Sequence, residues 1–165
     1  MSMSKNHIST QPEEFQDPLQ NYDPKVYTNV LEKCLAEENV VAIQHRPVAV
    51  TSMHTPIGDA VDQLANLQVA CLLIEDEGCL VGIFSDRDVL DKVALEFEQL
   101  KDRPVSEVMT KDPVFVYESD SAAAAISVMA VNGFRHVPVT DAKQKVLGII
   151  SPQRVTAFLR KQLKY

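Results

Sequence analysis

Three cysteines, Cys34, Cys71 and Cys79, do not make a disulfide framework: the number is odd and no Cys-x-x-Cys pair exists. The expectation is free thiols in a reducing cytoplasm. No apolar run approaches the roughly 20 residues of a membrane helix, so no membrane contact is expected. The opening stretch MSMSKNHIST lacks the apolar segment of a secretory signal. The four histidines include no His-x-x-x-His and no His/Cys cluster, which argues against a metal centre. An excess of positive charge is missing as well. Sixteen Lys and Arg stand against 23 Asp and Glu, a formal net charge of −7, which poorly suits binding to nucleic-acid phosphates. What is present is ordinary for a folded chain: 45% apolar and 24% charged in 165 residues, enough to bury a core without cross-links.

The charge is uneven. Residues 1–38 hold 3 Lys and 7 Asp or Glu, whereas residues 141–165 hold 6 Lys or Arg and one Asp. The basic end suits a solvated face near a helix C-terminus, where the dipole favours cations; an anion or partner surface is the alternative. Residues 1–22 are polar and aperiodic and read as a flexible arm. Asp23 as N-cap and Pro24 at the first helical position predict a helix from Lys25 to about Glu37, with Val26, Val30, Leu31 and Cys34 on one face. Such a helix must pack on the body or on a partner chain.

From there the chain repeats itself at a spacing of 66 residues. Pro47-Val48-x-Val50 falls on Pro113-Val114-x-Val116, Asn66 on Asn132, Gly82-Ile83-x-Ser85 on Gly148-Ile149-x-Ser151, and Val89 on Val155. Each unit predicts the same elements. A short strand (Val48–Thr51; Val114–Tyr117) precedes an amphipathic helix carrying Ile57, Ala60, Val61, Leu64 and Ala65, or Ala122, Ala125, Ile126 and Met129. An apolar strand follows (Val69–Ile74; Val137–Thr140), then a polar turn at 75–78 or 141–144 and a second strand (Leu80–Phe84; Val146–Ile150). A closing helix carries Val89, Leu90, Val93 and Phe97, or Val155, Phe158, Leu159 and Leu163. The order β-α-β-β-α, twice, predicts an α/β (α+β) fold whose halves are related by a pseudo-two-fold with sheets packed face to face. The expected parts are a flexible arm at 1–22, a helix at 23–38 and repeats at 39–100 and 101–165.

The sharpest motif is Gly82-Ile83-Phe84-Ser85-Asp86-Arg87-Asp88 and its echo Gly148-Ile149-Ile150-Ser151-Pro152-Gln153-Arg154, each running from a strand into a helix. Capping accounts for most of it: Ser85 with Asp88 forms a near capping box, and Ser151-Pro152 is an N-cap followed by proline. Arg154 alone opposes the helix dipole and wants an anion or water. The same geometry also suits a ligand, because a helix N-terminus attracts phosphate and a first-turn carboxylate can accept from a ribose diol.

Tandem β-α-β-β-α units, each with a strand–Gly-x-x-Ser–helix signature, resemble the cystathionine-β-synthase (CBS) domain pair, or Bateman module, over about residues 40–163. Val108–Val114 and Gly133–Val139 look like further family landmarks. The resemblance implies a sensor that binds AMP, ADP, ATP, S-adenosylmethionine or NAD in clefts between the repeats. It implies no obligatory cofactor, a homodimer and a separate, unidentified protein effector. Carried over by position, Ser85 and Asp88, with Arg87 beside them, match the ribose side. Lys111, Asp112, Pro113 and Val114 match the adenine edge of repeat two, and His45, Arg46, Pro47 and Val48 that of repeat one. Arg135 and His136 match the phosphate side, although they equally suit a solvated strand edge. Ser151 and Arg154 stand at the second helix start. Repeat one lacks the cations, with Val69-Ala70 in their place, and repeat two lacks the carboxylate. One composite site is therefore expected, with the second cleft weak, empty or anion-binding. A ligand-free interaction module is the competing expectation. An enzyme is disfavoured, since the sequence shows no nucleophile with a base and an orienting partner.

Overall fold

A computed structural model describes residues 25–46 and 48–163. The predicted arm, the Asp23-Pro24 cap and Pro47 lie outside the described residues. The chain forms α1 (Val30–Glu37), β1 (Val50–Ser52), α2 (Ile57–Leu67), β2 (Cys71–Asp76), β3 (Cys79–Ser85), α3 (Asp86–Asp88), α4 (Phe97–Leu100), β4 (Thr110–Lys111), β5 (Val116–Tyr117), α5 (Ala122–Asn132), β6 (Val137–Thr140), β7 (Val146–Ile150) and α6 (Pro152–Leu163). It is a mixed α/β fold with two sheets, ordered β1-β2-β3-β4 and β5-β6-β7. In each sheet the first pair is parallel and the next antiparallel. The β2–β3 turn is the two residues Glu77 and Gly78, both at positive φ (47° and 81°), a backbone twist that matches the flanking strands.

Four local expectations are corrected. The first helix starts at Val30 rather than Lys25, because the Asn29 side chain accepts from Glu32 N while the Glu32 carboxylate accepts from Thr28 N. Val26 and Val30 are consequently exposed, while Cys34 packs against the core as expected, with Leu35 beside it. The leading strands are shorter than expected, since parallel pairing of β1 begins only at Val50, opposite Leu73. The strand expected at Val69–Ile74 begins at Cys71 and extends to Asp76, because α2 closes with Gln68 in a left-handed turn. The closing helix of repeat one is broken: α3 passes into a π turn (Val89–Val93), a 3₁₀ turn (Ala94–Glu96) and then α4, whereas α6 is continuous. Leu90, expected on the core face, is exposed in this irregular stretch.

Two cores form, and they cross the sequence order of the repeats. Ile57, Leu64, Leu72, Ile74, Phe84 and Val93 of repeat one are joined by Val105, Val108 and Met109 from the connector, residues 101–115, which opens repeat two. Val116, Ala125, Met129, Val137, Val139, Ile150 and Phe158 of repeat two are joined by Val40 and Ile43 from the start of repeat one. The crossing is hydrogen-bonded. His45 N donates to Ile149 O at 2.7 Å, Ala122 N donates to Glu38 O at 2.8 Å, and Val105 N donates to Thr55 O at 2.8 Å. Strands β2 and β6 are buried on both faces, with Leu73 and Thr140 fully enclosed on the sides away from these cores. Leu80 N donates to Gln144 O across the repeats at 3.1 Å.

Candidate functional site

A cavity of about 320 Å³ opens where the repeats meet. One wall is the end of β3 with α3: Ile83, Ser85, Asp86, Arg87 and Asp88. The floor is the connector, with Thr110, Asp112, Pro113 and Val114. The opposite wall, Gly133–His136, comes from repeat two. Each wall has a local cause. The 82–84 stretch buries Gly82 and Phe84, which brings Ser85 out at the strand end. Ser85 then caps α3, and both halves of the capping box form. The connector is bent by Asp112, at φ 47° with its N–H on Val81 O. Helix α5 stops at Gly133, whose φ of 68° lets Phe134 N return to Met129 O and delivers Arg135 and His136 to the mouth.

Asp88 is the buried charge of the site. Its Oδ2 accepts from Ser85 N at 2.9 Å and Ser85 Oγ at 2.8 Å. Its Oδ1 accepts from Lys92 Nζ at 2.7 Å and Thr110 Oγ1 at 3.3 Å. Burial works to raise its pKa, but the hydrogen bonds from Lys92 and Ser85 and the Lys92 charge outweigh it, so the carboxyl sits below its ordinary value. Two of the four donors are nitrogens and two are hydroxyls. A ribose diol offers hydroxyls of the same kind, so it could replace Ser85 Oγ and Thr110 Oγ1 while the nitrogens stay. Burial pushes the His136 imidazole below its ordinary value; Asp86 across the cavity pulls it back and Arg135 adds to the lowering. Arg87 and Arg135 are thus the guanidinium charges of the lining.

Of the residues singled out in the sequence, the cavity gathers Ser85, Arg87, Asp88, Asp112, Pro113, Val114, Arg135 and His136. Lys111 pairs with Gly82 on the edge of the first sheet and is exposed, outside this lining. His45 is bridged to Ile149, and Arg46 reaches Glu118 at 3.5 Å. Ser151 begins α6, its carbonyl taking the N–H groups of Arg154 and Val155. Arg154 lines a separate hollow of about 320 Å³ between α6 and residues 38–44. A shift of 66 residues places Gln44 and Arg46 where Thr110 and Asp112 stand in the first cleft. There the Gln44 side chain packs against Gly148 and accepts from the Arg46 guanidinium. Sequence reasoning missed Ile83, Asp86, Thr110, Gly133 and Phe134. Thr110 and Phe134 sit inside the stretches already noted, so adjacency to Lys111 and Arg135 was the available signal.

Cys71 lies behind the same wall. Burial, followed by the charges of Asp86 and Asp88, pushes its thiol up to about 12. Cys34 and Cys79 are part-exposed. A thiol reagent at pH 8 is therefore expected to label Cys34 and Cys79 in the native protein, and Cys71 only after unfolding, as mass spectrometry of labelled peptides would show. Among the described residues no helix is long and apolar enough to cross a membrane, and no group of three or more metal-binding side chains is found.

Comparison with known proteins agrees with this architecture. The Arabidopsis thaliana CBS domain-containing protein CBSCBSPB5 is 40% identical over 88 residues, which is 53% of this chain but only 16% of that protein. The solved structure of CBSX2 in complex with AMP is 26% identical, with a TM-score of 0.66 over 78% of this chain and 99% of that one. The CBS domain pair of protein MJ0100, solved with 5′-methylthioadenosine and S-adenosyl-L-methionine, is 24% identical with a TM-score of 0.64, covering 72% and 97% of the two chains; it speaks to the fold alone. The CBS domain profile matches twice, over residues 40–95 and 105–161. With two halves of one topology, a cavity where they meet and a profile that recurs across most of its length, the chain belongs to the CBS-domain family and carries its domains as a tandem pair.

Proposed function

We propose that this chain is a regulatory module that binds an adenosyl nucleotide of the AMP type between its repeats and thereby modulates a separate protein. The observation that carries the reading is the shared cavity. A carboxylate stands on one wall and Arg135 with His136 on the other, with Ile83, Pro113, Val114 and Phe134 between them as apolar surface for a base. Its volume lies in the range of small-molecule sites. The AMP complex of a relative 26% identical supports the ligand class. Binding rather than catalysis is favoured because the carboxylate that accepts from the Ser85 hydroxyl is bonded by Lys92 and held below its ordinary pKa, which makes it a poor base for activating that hydroxyl. A homodimer belongs to the reading too; Leu67 near the end of α2 and Val131 near the end of α5 are exposed apolar residues available to a second copy. The energy of regulation would come from unequal affinity for two states of the module.

The second helix start has Arg154 in place of Asp88, and Arg46 engages both the Gln44 side chain and the Glu118 carboxylate. Calorimetric titration is accordingly expected to give one AMP per chain. Two equivalent tight sites would overturn this assignment. A ligand-free interaction module is the second reading, favoured by one observation: the chain's own donors already fill Asp88. Absence of any heat or melting shift with AMP, ADP, ATP, S-adenosylmethionine and NAD would decide for it.

A further inference from the structure

Position 92 breaks the symmetry of the repeats. The 66-residue shift sets Lys92 on Phe158, which is buried in the core of repeat two. In repeat one the helix after Asp88 runs as a π turn, in which Ala94 N reaches back to Val89 O. A π turn takes one more residue than an α turn, and such turns recur at functional sites. The extra residue lets Val93, 1% exposed, enter the core in place of position 92. Lys92 is left beside Asp88. Its ammonium donates to Asp88 Oδ1 at 2.7 Å and to Val108 O at 2.8 Å, so it is anchored on the helix and on the connector at once. It does not belong to the cavity lining, whereas Asp88 does. The cation therefore holds the carboxylate without itself lining the cavity.

We propose that Lys92 is a positioning residue, which the π turn sets against Asp88 to hold that carboxylate as a fixed, charged acceptor in the cavity lining. The ligand consequence rests on the proposed nucleotide site; the effect on Asp88 itself does not. The other ionisable groups around Asp88 do not replace Lys92. Asp86 and Arg87 share its turn but are exposed, and Asp112 on the connector is exposed as well. Cys71 on β2 is held neutral, and Arg135 and His136 stand on the opposite wall. Without the ammonium, burial would favour the protonated acid, which gives up an acceptor to become a donor.

The test uses the full chain as wild type, Lys92→Met, Lys92→Gln and Lys92→Arg. The Asp88 side-chain carbon is followed by NMR against pH without ligand, and AMP affinity is measured by calorimetry at about pH 5 and pH 7.5. Both uncharged variants should raise the Asp88 midpoint by about one pH unit and weaken AMP at the lower pH by up to about twofold, with less change at the higher pH. Lys92→Arg should restore both. Lys92→Gln keeps a donor for Val108 O, so it separates the charge from the anchoring. A midpoint unchanged in folded Lys92→Gln overturns the proposal. If wild-type protein binds no AMP at either pH, the nucleotide reading fails, and the carboxyl titration alone decides the role of Lys92.

Discussion

Replacing Ile43 by Ala is expected to lower the unfolding free energy by about 2–5 kcal/mol, the cost of emptying a well-packed aliphatic site. Ile43 is 1% exposed and packs in the core that holds Val116, Val137, Ile150 and Phe158. Its place in the chain assigns it to repeat one; its packing assigns it to repeat two. Hydrogen exchange distinguishes these. In the variant, protection should fall first in α5, β6 and β7, because stability is lost locally before it is lost globally. Earlier loss in β2 and β3 would contradict the crossed cores. Chemical denaturation measures the size of the effect through the shift in midpoint at constant slope.

Asp88→Ala is expected to abolish the melting-temperature rise that AMP produces in the wild type. At a ligand concentration of about 100 times Kd, mass action adds about 2.7 kcal/mol to the native state, a rise on the order of 5–10 °C for a chain of this size. The variant itself should lose only about 0.5–2 kcal/mol, the worth of a capping side chain, since Lys92 is part-exposed and can turn to water. Stability without ligand also carries a pH signature. The folded-state pKa of Asp88 is lowered, so its contribution is complete above the ordinary carboxylate value and disappears as pH falls through the lower, folded value. Asp88→Ala should flatten that acid limb. Differential scanning fluorimetry with and without AMP, across pH, checks both effects. A full AMP shift in the variant would reduce Asp88 to a helix cap.

Local patterns in the chain carried far for the elements whose partners are close in sequence. Val137–Thr140 and Val146–Ile150 are strands at the expected residues, and Ser85 with Asp88 forms the expected capping box. Caps and hairpins depend on residues two to six apart, so spacing is enough to reveal them. The break in the closing helix of repeat one was not legible, because Val89, Leu90, Val93 and Phe97 suit an unbroken helix equally well. Packing selected Val93 for the core, left Leu90 outside and released Lys92. Arg46 had the family position for an adenine edge, yet it faces Glu118, 72 residues away, an ion pair that composition does not announce.

The duplicated motif, its helix start and the unequal endowment of its two copies are written in the residue order, because each depends on side-chain type at short range. Which segments complete which core, which residues line each hollow and which lysine holds the buried carboxylate were settled by folding. Those outcomes compare the burial of alternative groups across the whole chain. Ile43 beside Phe158, and Arg135 opposite Asp88, become neighbours only when both halves are assembled.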